Sequence, residues 1–170
     1  MPILRTALLP DVEMLRDLCR DTFYKKWLST NTEKDLHAYM DEFFSLEKIK
    51  DELNDQQITY LIAERTNQLI AYCKLNRNKS DGNLNANHPI EIQRMYVLEE
   101  HIGQGIGKLL MNKALETAVH ENFDVIWLGV WEKNYQAVAF YKSFGFEFYG
   151  EHEFILGEDI TTDLLMKKSL

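Results

Sequence analysis

The segment DVIWLGVW, residues 124–131, constrains the fold more than any other part of the chain. It is a nearly continuous apolar run, and such a run is typical of a strand that is buried on both faces of its sheet. A strand of this kind needs a layer of helices on each side. The chain has 170 residues and is 45% hydrophobic, so we predict one domain over residues 1–170.

The remaining periodicity predicts a strand, then helices, a meander of three strands, a helix, the buried strand, a helix and two final strands. Thr32 and Ser45 are predicted N-caps of two early helices. Asn67 is placed in a hairpin turn, and the polar residues 78–89 in a loop. We therefore predict an α/β (α+β) fold with a mixed, mostly antiparallel central sheet of about seven strands flanked by helices.

The formal net charge of −8 indicates which kinds of binding partner the protein favours. A general nucleic-acid binder would carry a basic patch, so we predict no nucleic-acid partner. An acidic protein concentrates small cationic molecules, although the same charge also serves solubility alone.

The sequence also bears on location and on metal binding. No apolar run approaches the ~20 residues that cross a bilayer, so we expect no membrane partner. Cys19 and Cys73 are predicted core residues that form neither a disulfide framework nor a metal-ligand pair. We therefore predict no metal and a reduced, cytoplasmic location.

Three glycines on alternate positions, Gly103, Gly105 and Gly107, stand directly before an amphipathic helix pattern. Glycines in this place let backbone N–H groups approach an anion, and the helix N-terminus then binds phosphate oxygens. Lys108 adds a cation, so a pyrophosphate is the natural ligand. The alternative is a tight strand-to-helix turn that binds nothing.

Two other glycine-loop chemistries do not fit. A P-loop needs a glycine where Ile102 stands and a Ser or Thr where Leu109 stands. The dinucleotide fingerprint G-x-G-x-x-G needs its third glycine at the position of Lys108.

Two segments in this order, QRMYVLEEHIGQGIGKLLMNKAL and NYQAVAFYKSFGFEFYG, resemble the GCN5-related N-acetyltransferase (GNAT) superfamily. The first is similar to the acetyl-CoA motif of that family and the second to its N-x-x-A-x-x-F-Y-x-x-x-G-F motif. The resemblance implies the GNAT fold, acetyl-CoA as co-substrate and an N-acetyltransferase (acyltransferase) activity. Ile102 departs from the pattern, because the family has Arg or Gln there.

The resemblance also implies a coenzyme site. The pantetheine arm would pair with the third meander strand, the pyrophosphate would lie on the glycine loop, and the backbone N–H of Val97 would stabilise the oxyanion. The implied cofactor-binding residues are Met95, Tyr96, Val97, Gly103, Gln104, Gly105, Ile106, Gly107, Lys108, Asn134 and Tyr141.

Acetyl transfer to an amine requires that the amine lose a proton and that the departing thiolate gain one. Tyr141 matches the general acid of the family. Glu91 is the candidate general base, although strand glutamates often face solvent, and Tyr96 is a further candidate on the acceptor side. We expect neither His88 nor His101 to be catalytic.

A finer resemblance concerns the acceptor. Residues 22–53 and 147–168 are similar to the PaiA-type spermidine/spermine acetyltransferases, and the ending from His152 to Lys167 is the more specific part. It implies N-acetylation of a polyamine through a ternary complex. We then predict that carboxylates of the first helices border a cation-binding cleft: Glu33, Asp35, Asp41 and Glu42.

Two other functions remain open from the sequence. A protein acetyltransferase acting on an N-terminal amine or a lysine would need an open groove, which the insert over residues 31–53 would narrow. An acyl-CoA sensor without turnover is the second alternative. The habit of the family suggests a homodimer.

Overall fold

The computed structural model describes residues 1–78 and 82–170. Its seven-stranded sheet has the order β1-β2-β3-β4-β5-β7-β6 and is antiparallel except between β4 and β5. The elements are β1 (Ile3–Thr6), α1 (Val12–Trp27), α2 (Glu33–Phe43), α3 (Leu46–Asn54), β2 (Ile58–Arg65), β3 (Gln68–Asn76), β4 (Pro89–Val97), α4 (Ile106–His120), β5 (Val125–Trp131), α5 (Tyr135–Ser143), β6 (Glu147–Leu156) and β7 (Asp159–Ser169). The predicted fold class is confirmed.

Helices cover both faces of the sheet, as the apolar run of β5 predicts. On one face, α4 packs its buried Leu110 and Ala114 in a core cluster with Ile126 of β5. On the other face, α1 and α2 pack Leu15 and Leu36 in a second cluster with residues of β2 and β3. Within β5, residues 125–128 and 130 are buried, whereas Gly129 is exposed and Trp131 partly exposed.

Local features follow the sequence closely. The Thr32 hydroxyl accepts a hydrogen bond from the Asp35 N–H at 3.2 Å, so Thr32 caps α2 as predicted. Ser45 caps α3 in the same way. Thr66 and Asn67 both have positive φ, which is the geometry of a two-residue type I′ hairpin turn. The predicted loop lies partly outside the described residues, and β4 already begins at Pro89.

The strands β4 and β5 part after a short parallel contact. They pair along Pro89–Glu91 and Val125–Trp127, and the rest of β4 has no strand partner on that side within the described residues. The register between β3 and β4 shifts at Lys74 and Leu75, which leaves Gln93 as an extra residue in β4. Such a bulge bends its strand. The result is an opening in the sheet between β4 and β5.

Buried polar groups tie the helices α2 and α3 to the sheet beside this opening. Glu52 of α3 accepts hydrogen bonds from Lys74 Nζ at 2.7 Å and from the Tyr60 hydroxyl at 2.5 Å. The Arg94 guanidinium lies 4.6 Å from the Phe44 ring centroid and donates to the Tyr39 hydroxyl at 3.1 Å. These contacts fix Tyr39 and Arg94 at the wall of the opening.

The burial of Lys74 predicts a pH dependence of stability. Its side chain is 3% exposed, and burial lowers its pKa to about 8. Because this value lies below the ~10.4 of an unfolded lysine, the unfolded chain binds more protons between these two pH values. The contribution of Lys74 to the free energy of unfolding therefore rises through this window.

We expect the free energy of unfolding of the wild type to rise relative to that of Lys74→Met. The increase is on the order of 1–2 kcal/mol between about pH 7.5 and about pH 9.5. Urea denaturation followed by circular dichroism measures both proteins, and the subtraction removes the tyrosine ionisations that they share. A difference that does not change with pH would contradict a buried lysine of lowered pKa.

Candidate active site

The opening between β4 and β5 leads into a cleft of about 900 Å³. This volume lies within the range of small-molecule sites. One part, which we call the loop half, is lined by the glycine loop and α5. The other part, which we call the aromatic half, lies on the α1 face of the sheet. Its lining includes Trp27, Glu91, Trp131, Phe154 and Asp163.

The edge of β4 that faces the opening presents unpaired peptide groups. The Leu98 N–H donates to the Ile70 carbonyl at 2.9 Å. Bonded and non-bonded pairs alternate along an antiparallel ladder, so Tyr96 also directs its peptide groups to β3. Met95 and Val97 therefore direct theirs away from β3, toward the opening. An extended, amide-bearing ligand can pair with these two residues.

The same alternation separates the two predictions for Tyr96, as a coenzyme-binding residue and as a residue of the acceptor side. Its peptide groups belong to the sheet, and its ring packs at 5.8 Å from the Tyr72 ring on the α1 face. Burial raises the pKa of its phenol. The side chain of Tyr96 therefore faces the aromatic half of the cleft, and its backbone does not face the opening.

The glycine loop has the backbone geometry that an anion site needs. Gly103 and Gly105 have φ values of +81° and +79°, which favour glycine. Gly105 is the N-cap of α4 and has no side-chain cap, so the first amides of the helix, from Ile106 to Lys108, lack partners within the helix. Gly107 borders the cleft, where a Cβ would lie 3.8 Å from the Phe140 ring and meet no clash.

The side chain of Gln104 braces the loop instead of lining the cleft. Its Oε1 accepts from Arg65 Nη1, and its Nε2 donates to the Glu100 carbonyl, both at 2.9 Å. Among the described residues that line the cleft, the loop contributes its glycines together with Ile102, Ile106 and Lys108. Any contact between Gln104 and a phosphate would therefore use its backbone N–H.

Helix α5 supplies two predicted residues to the loop half. The Asn134 side-chain oxygen accepts from the Ala137 N–H at 3.3 Å and caps the helix, so a ligand contact from this side chain would use its NH₂ group. The ring of Tyr141 packs against Phe140 and Phe146. Burial raises the pKa of Tyr141, so its phenol is protonated at neutral pH and can donate a proton into the cleft.

Glu91 is the last residue of β4 that pairs with β5, directly before the two strands part. It is 5% exposed and lines the cleft. Its neighbours Ile90 and Ile92 belong to the core cluster on the α4 face. Side chains alternate across a strand, so Glu91 lies on the α1 face, in the aromatic half.

The sequence did not identify one pair of residues in the aromatic half. His152 and Asp163 are direct cross-strand neighbours in the hairpin of β6 and β7, with Nε2 and Oδ2 3.7 Å apart. The two-residue turn at Gly157, where φ is +61°, sets this register. Counting back from that turn in the sequence would have placed the two side chains together.

The four carboxylates predicted on the first helices do not border the main cleft, although Asp21 of α1 does. Glu33 accepts from the Tyr24 hydroxyl at 3.0 Å, and Asp41 pairs with Arg20 at 3.0 Å. Asp35 and Glu42 line a separate depression beside Phe154 and Gly157. The prediction for these four residues is therefore wrong, because the buried face of α2 carries Leu36 and Met40 and its carboxylates face away from the cleft.

Comparisons with known proteins agree with this geometry. The family model described as "Acetyltransferase (GNAT) family" matches residues 12–146, so the chain belongs to this family. A protein named "Uncharacterized N-acetyltransferase in pepI 3'region" of Lactobacillus delbrueckii subsp. lactis is 29% identical over 153 residues, which are 90% of this chain and 88% of that protein. The spermine/spermidine N(1)-acetyltransferase of Bacillus subtilis is 35% identical over 72 residues, 41% of this chain and 47% of that protein.

The crystal structure of the PaiA N-acetyltransferase of Thermoplasma acidophilum, in complex with coenzyme A, has the same fold. The TM-score is 0.80 at 22% identity, over 100% of this chain and 99% of that one. The protein is thus an acetyl-CoA-dependent N-acetyltransferase, and the predicted family, enzyme class and co-substrate are confirmed. In residues 1–78 and 82–170, no helix has the length and apolarity that a membrane span requires.

Gly107 offers a test of the coenzyme site that is separate from folding. A Gly107→Ala change should keep or raise the melting temperature, because alanine favours a helix by about 1 kcal/mol and its Cβ meets only ordinary contacts. The same methyl group would stand where a phosphate approaches the helix amides. We expect the Kd for acetyl-CoA, measured by calorimetry, to rise about tenfold or more. An unchanged Kd would show that the coenzyme does not approach this position.

Proposed function

We propose that this enzyme transfers the acetyl group directly to a primary amine of a small polycation, with spermidine or spermine favoured. The observation that carries the acceptor class is the aromatic half of the cleft. There the carboxylates of Glu91 and Asp163 lie among aromatic side chains. Carboxylates pair with ammonium groups, and aromatic faces attract them while packing against the alkyl chain between them.

Two further facts support this acceptor class. The net charge of −8 attracts cations at long range. The Bacillus subtilis relative is named a spermine/spermidine acetyltransferase, and the Thermoplasma acidophilum structure is a PaiA protein.

A peptide acceptor is less well supported. Tyr39 of α2 and Phe154 of β6 both line the cleft, and their ring centroids are 6.1 Å apart. This contact joins the helical insert to the far side of the sheet across the aromatic half. A groove bridged in this way favours a narrow, linear acceptor over a peptide chain.

We assign the coenzyme to the loop half. Met95 and Val97 would pair with the pantetheine amides, and the backbone amides of residues 103–108 would hold the pyrophosphate with Lys108. Asn134 would donate from its side-chain NH₂ group. Acetyl-CoA, when bound, supplies the activated acetyl group.

The residues of the chain then meet the two demands of the reaction. The Val97 N–H faces the opening and would donate to the thioester carbonyl oxygen. The Tyr141 phenol would donate its proton to the leaving sulfur, and its raised pKa keeps that proton in place until transfer. Glu91 lies six residues before Val97 on β4, so it would accept the proton of the attacking amine through a chain of waters.

The first experiment measures release of coenzyme A with a thiol reagent across a panel of acceptors. The panel holds spermidine, spermine, a diamine, an aminoglycoside, free amino acids and peptides. We expect turnover of spermidine or spermine, with kcat lowered by about 10²–10⁴ in Tyr141→Phe. Tyr135→Phe is the matched control, because Tyr135 lies on the same helix and is 76% exposed.

Each other outcome has a distinct meaning. Turnover of peptides alone would replace the small-amine proposal with protein acetylation. Binding of acetyl-CoA without turnover of any amine would indicate a sensor. Equal rates for Tyr141→Phe and wild type would remove the acid role while leaving the acceptor class intact.

Glu91→Gln tests the base, since it keeps the shape of the side chain and removes its charge. We expect kcat for spermidine to fall by about 10²-fold, with the Kd for acetyl-CoA unchanged because the coenzyme is assigned to the other half of the cleft. Calorimetry and thermal unfolding would verify that coenzyme binding and folding are retained. A kcat equal to that of the wild type would assign the base elsewhere.

A further inference from the structure

Asp163 lies beside Gly129, where the cleft wall carries no side chain. Trp131 of β5, Asp163 of β7 and His152 of β6 are successive cross-strand neighbours. A Cβ at Gly129 would lie 3.4 Å from the Asp163 carboxylate and 3.5 Å from His152. The exposed backbone of Gly129 therefore leaves room for a carboxylate that is 17% exposed and that borders the cleft.

Aromatic rings form a continuous wall beside this carboxylate. The Trp27 ring lies 5.3 Å from the Trp131 ring and 6.0 Å from the Phe154 ring. All three residues line the cleft. The faces of such rings attract cations, most strongly those of tryptophan.

The chain already places one alkylammonium group against this wall. Lys26 Nζ lies 5.8 Å from the Trp131 ring centroid, and Lys26 also lines the cleft. Burial lowers the pKa of Lys26. Burial also raises the pKa of Asp163, against the opposite effect of His152. His152 Nε2 lies 3.7 Å from the Asp163 carboxylate, which is longer than a hydrogen bond, so an ammonium ligand can approach this carboxylate more closely.

The second carboxylate of the aromatic half lies at a defined distance. Glu91 is the register partner of Trp127, and Asp163 is that of Trp131, so their positions differ by four residues along β5. Val97 follows Glu91 by six residues with one bulge residue between them, so it lies about level with Trp131 and Asp163 along the sheet. Asp163 is two strands away from β4, which is about 10 Å across the sheet. A linear molecule whose reacting amine lies beside Val97 can therefore place a second ammonium group at Asp163.

We propose that Asp163 and the rings of Trp27, Trp131 and Phe154 form a second ammonium subsite for the distal cation of the acceptor. The reacting amine lies at the opening, beside the Val97 N–H. Lys26 occupies the wall of this subsite until the acceptor displaces it. The inference rests on the proposed polyamine function and adds to it the spacing that the acceptor must have.

The test compares spermidine with n-butylamine, which has a reacting amine but no distal cation. We expect Asp163→Asn to raise the KM for spermidine about 10–100-fold with kcat nearly unchanged, because the lost contact stabilises ground state and transition state alike. The KM for n-butylamine should stay as in the wild type.

Lys26→Gln supplies a second variant that does not alter the sheet. Removing the internal competitor should lower the KM for spermidine several-fold and leave that for n-butylamine unchanged. Lys113→Gln is the matched control, because it removes the same charge from an exposed lysine that pairs with Glu116 at 3.3 Å and lies away from the cleft lining. It should leave the KM of both amines near the wild-type value.

The contrary outcomes separate two failures. An equal effect of Asp163→Asn on both amines, or a higher KM for spermidine in Lys26→Gln, would overturn the subsite while small-amine acetylation stands. Wild-type turnover of peptides without turnover of either amine would overturn the proposed function and the subsite together.

Discussion

The parting of β4 from β5 is the constraint on which the rest of the structure depends. Two parallel strands that pair along three residues and then separate leave peptide groups without partners inside a sheet. Peptide groups inside a sheet form hydrogen bonds, and the alternation of the ladder directs those of the half-buried Met95 and Val97 into the opening. A ligand that carries amides of its own can bond to them. The bulge at Gln93 is the local device that turns β4 away, so one extra residue creates the site.

The same strand builds both halves of the cleft. Side chains alternate across a strand, so Met95 and Val97 pack toward α4 and α5, whereas Arg94 and Tyr96 lie on the side of α1. A coenzyme placed along one face and an acceptor placed along the other meet only where the sheet is open. With the coenzyme and the acceptor placed as proposed, direct transfer between two bound substrates would require neither of them to move to the other face.

Sequence patterns predicted the features that lie within a few residues of the chain. They did not predict the contacts between residues that are distant in sequence. The apolar run of β5, the caps at Thr32 and Ser45 and the glycines before α4 each lie within a few residues, and the structure has all of them as predicted. The hydrogen bond between Gln104 and Arg65 joins residues that are 39 positions apart, and no sequence pattern predicts it. The prediction for the carboxylates of α2 failed because the net charge of a protein does not indicate which face of a helix its acidic residues occupy.

The proposed acceptor preference therefore depends on where charges are buried rather than on how many there are. Exposed carboxylates such as Asp41 are screened within about 8 Å at physiological ionic strength, and they act on encounter rates. Glu91 and Asp163 are only 5% and 17% exposed at the cleft, so their charges are screened less. Since a net charge of −8 is shared by the whole surface, it draws in any cation alike. In the proposed function, discrimination among amines would come from anionic groups at fixed positions, and the strand register fixes the positions of Glu91 and Asp163 in the sheet.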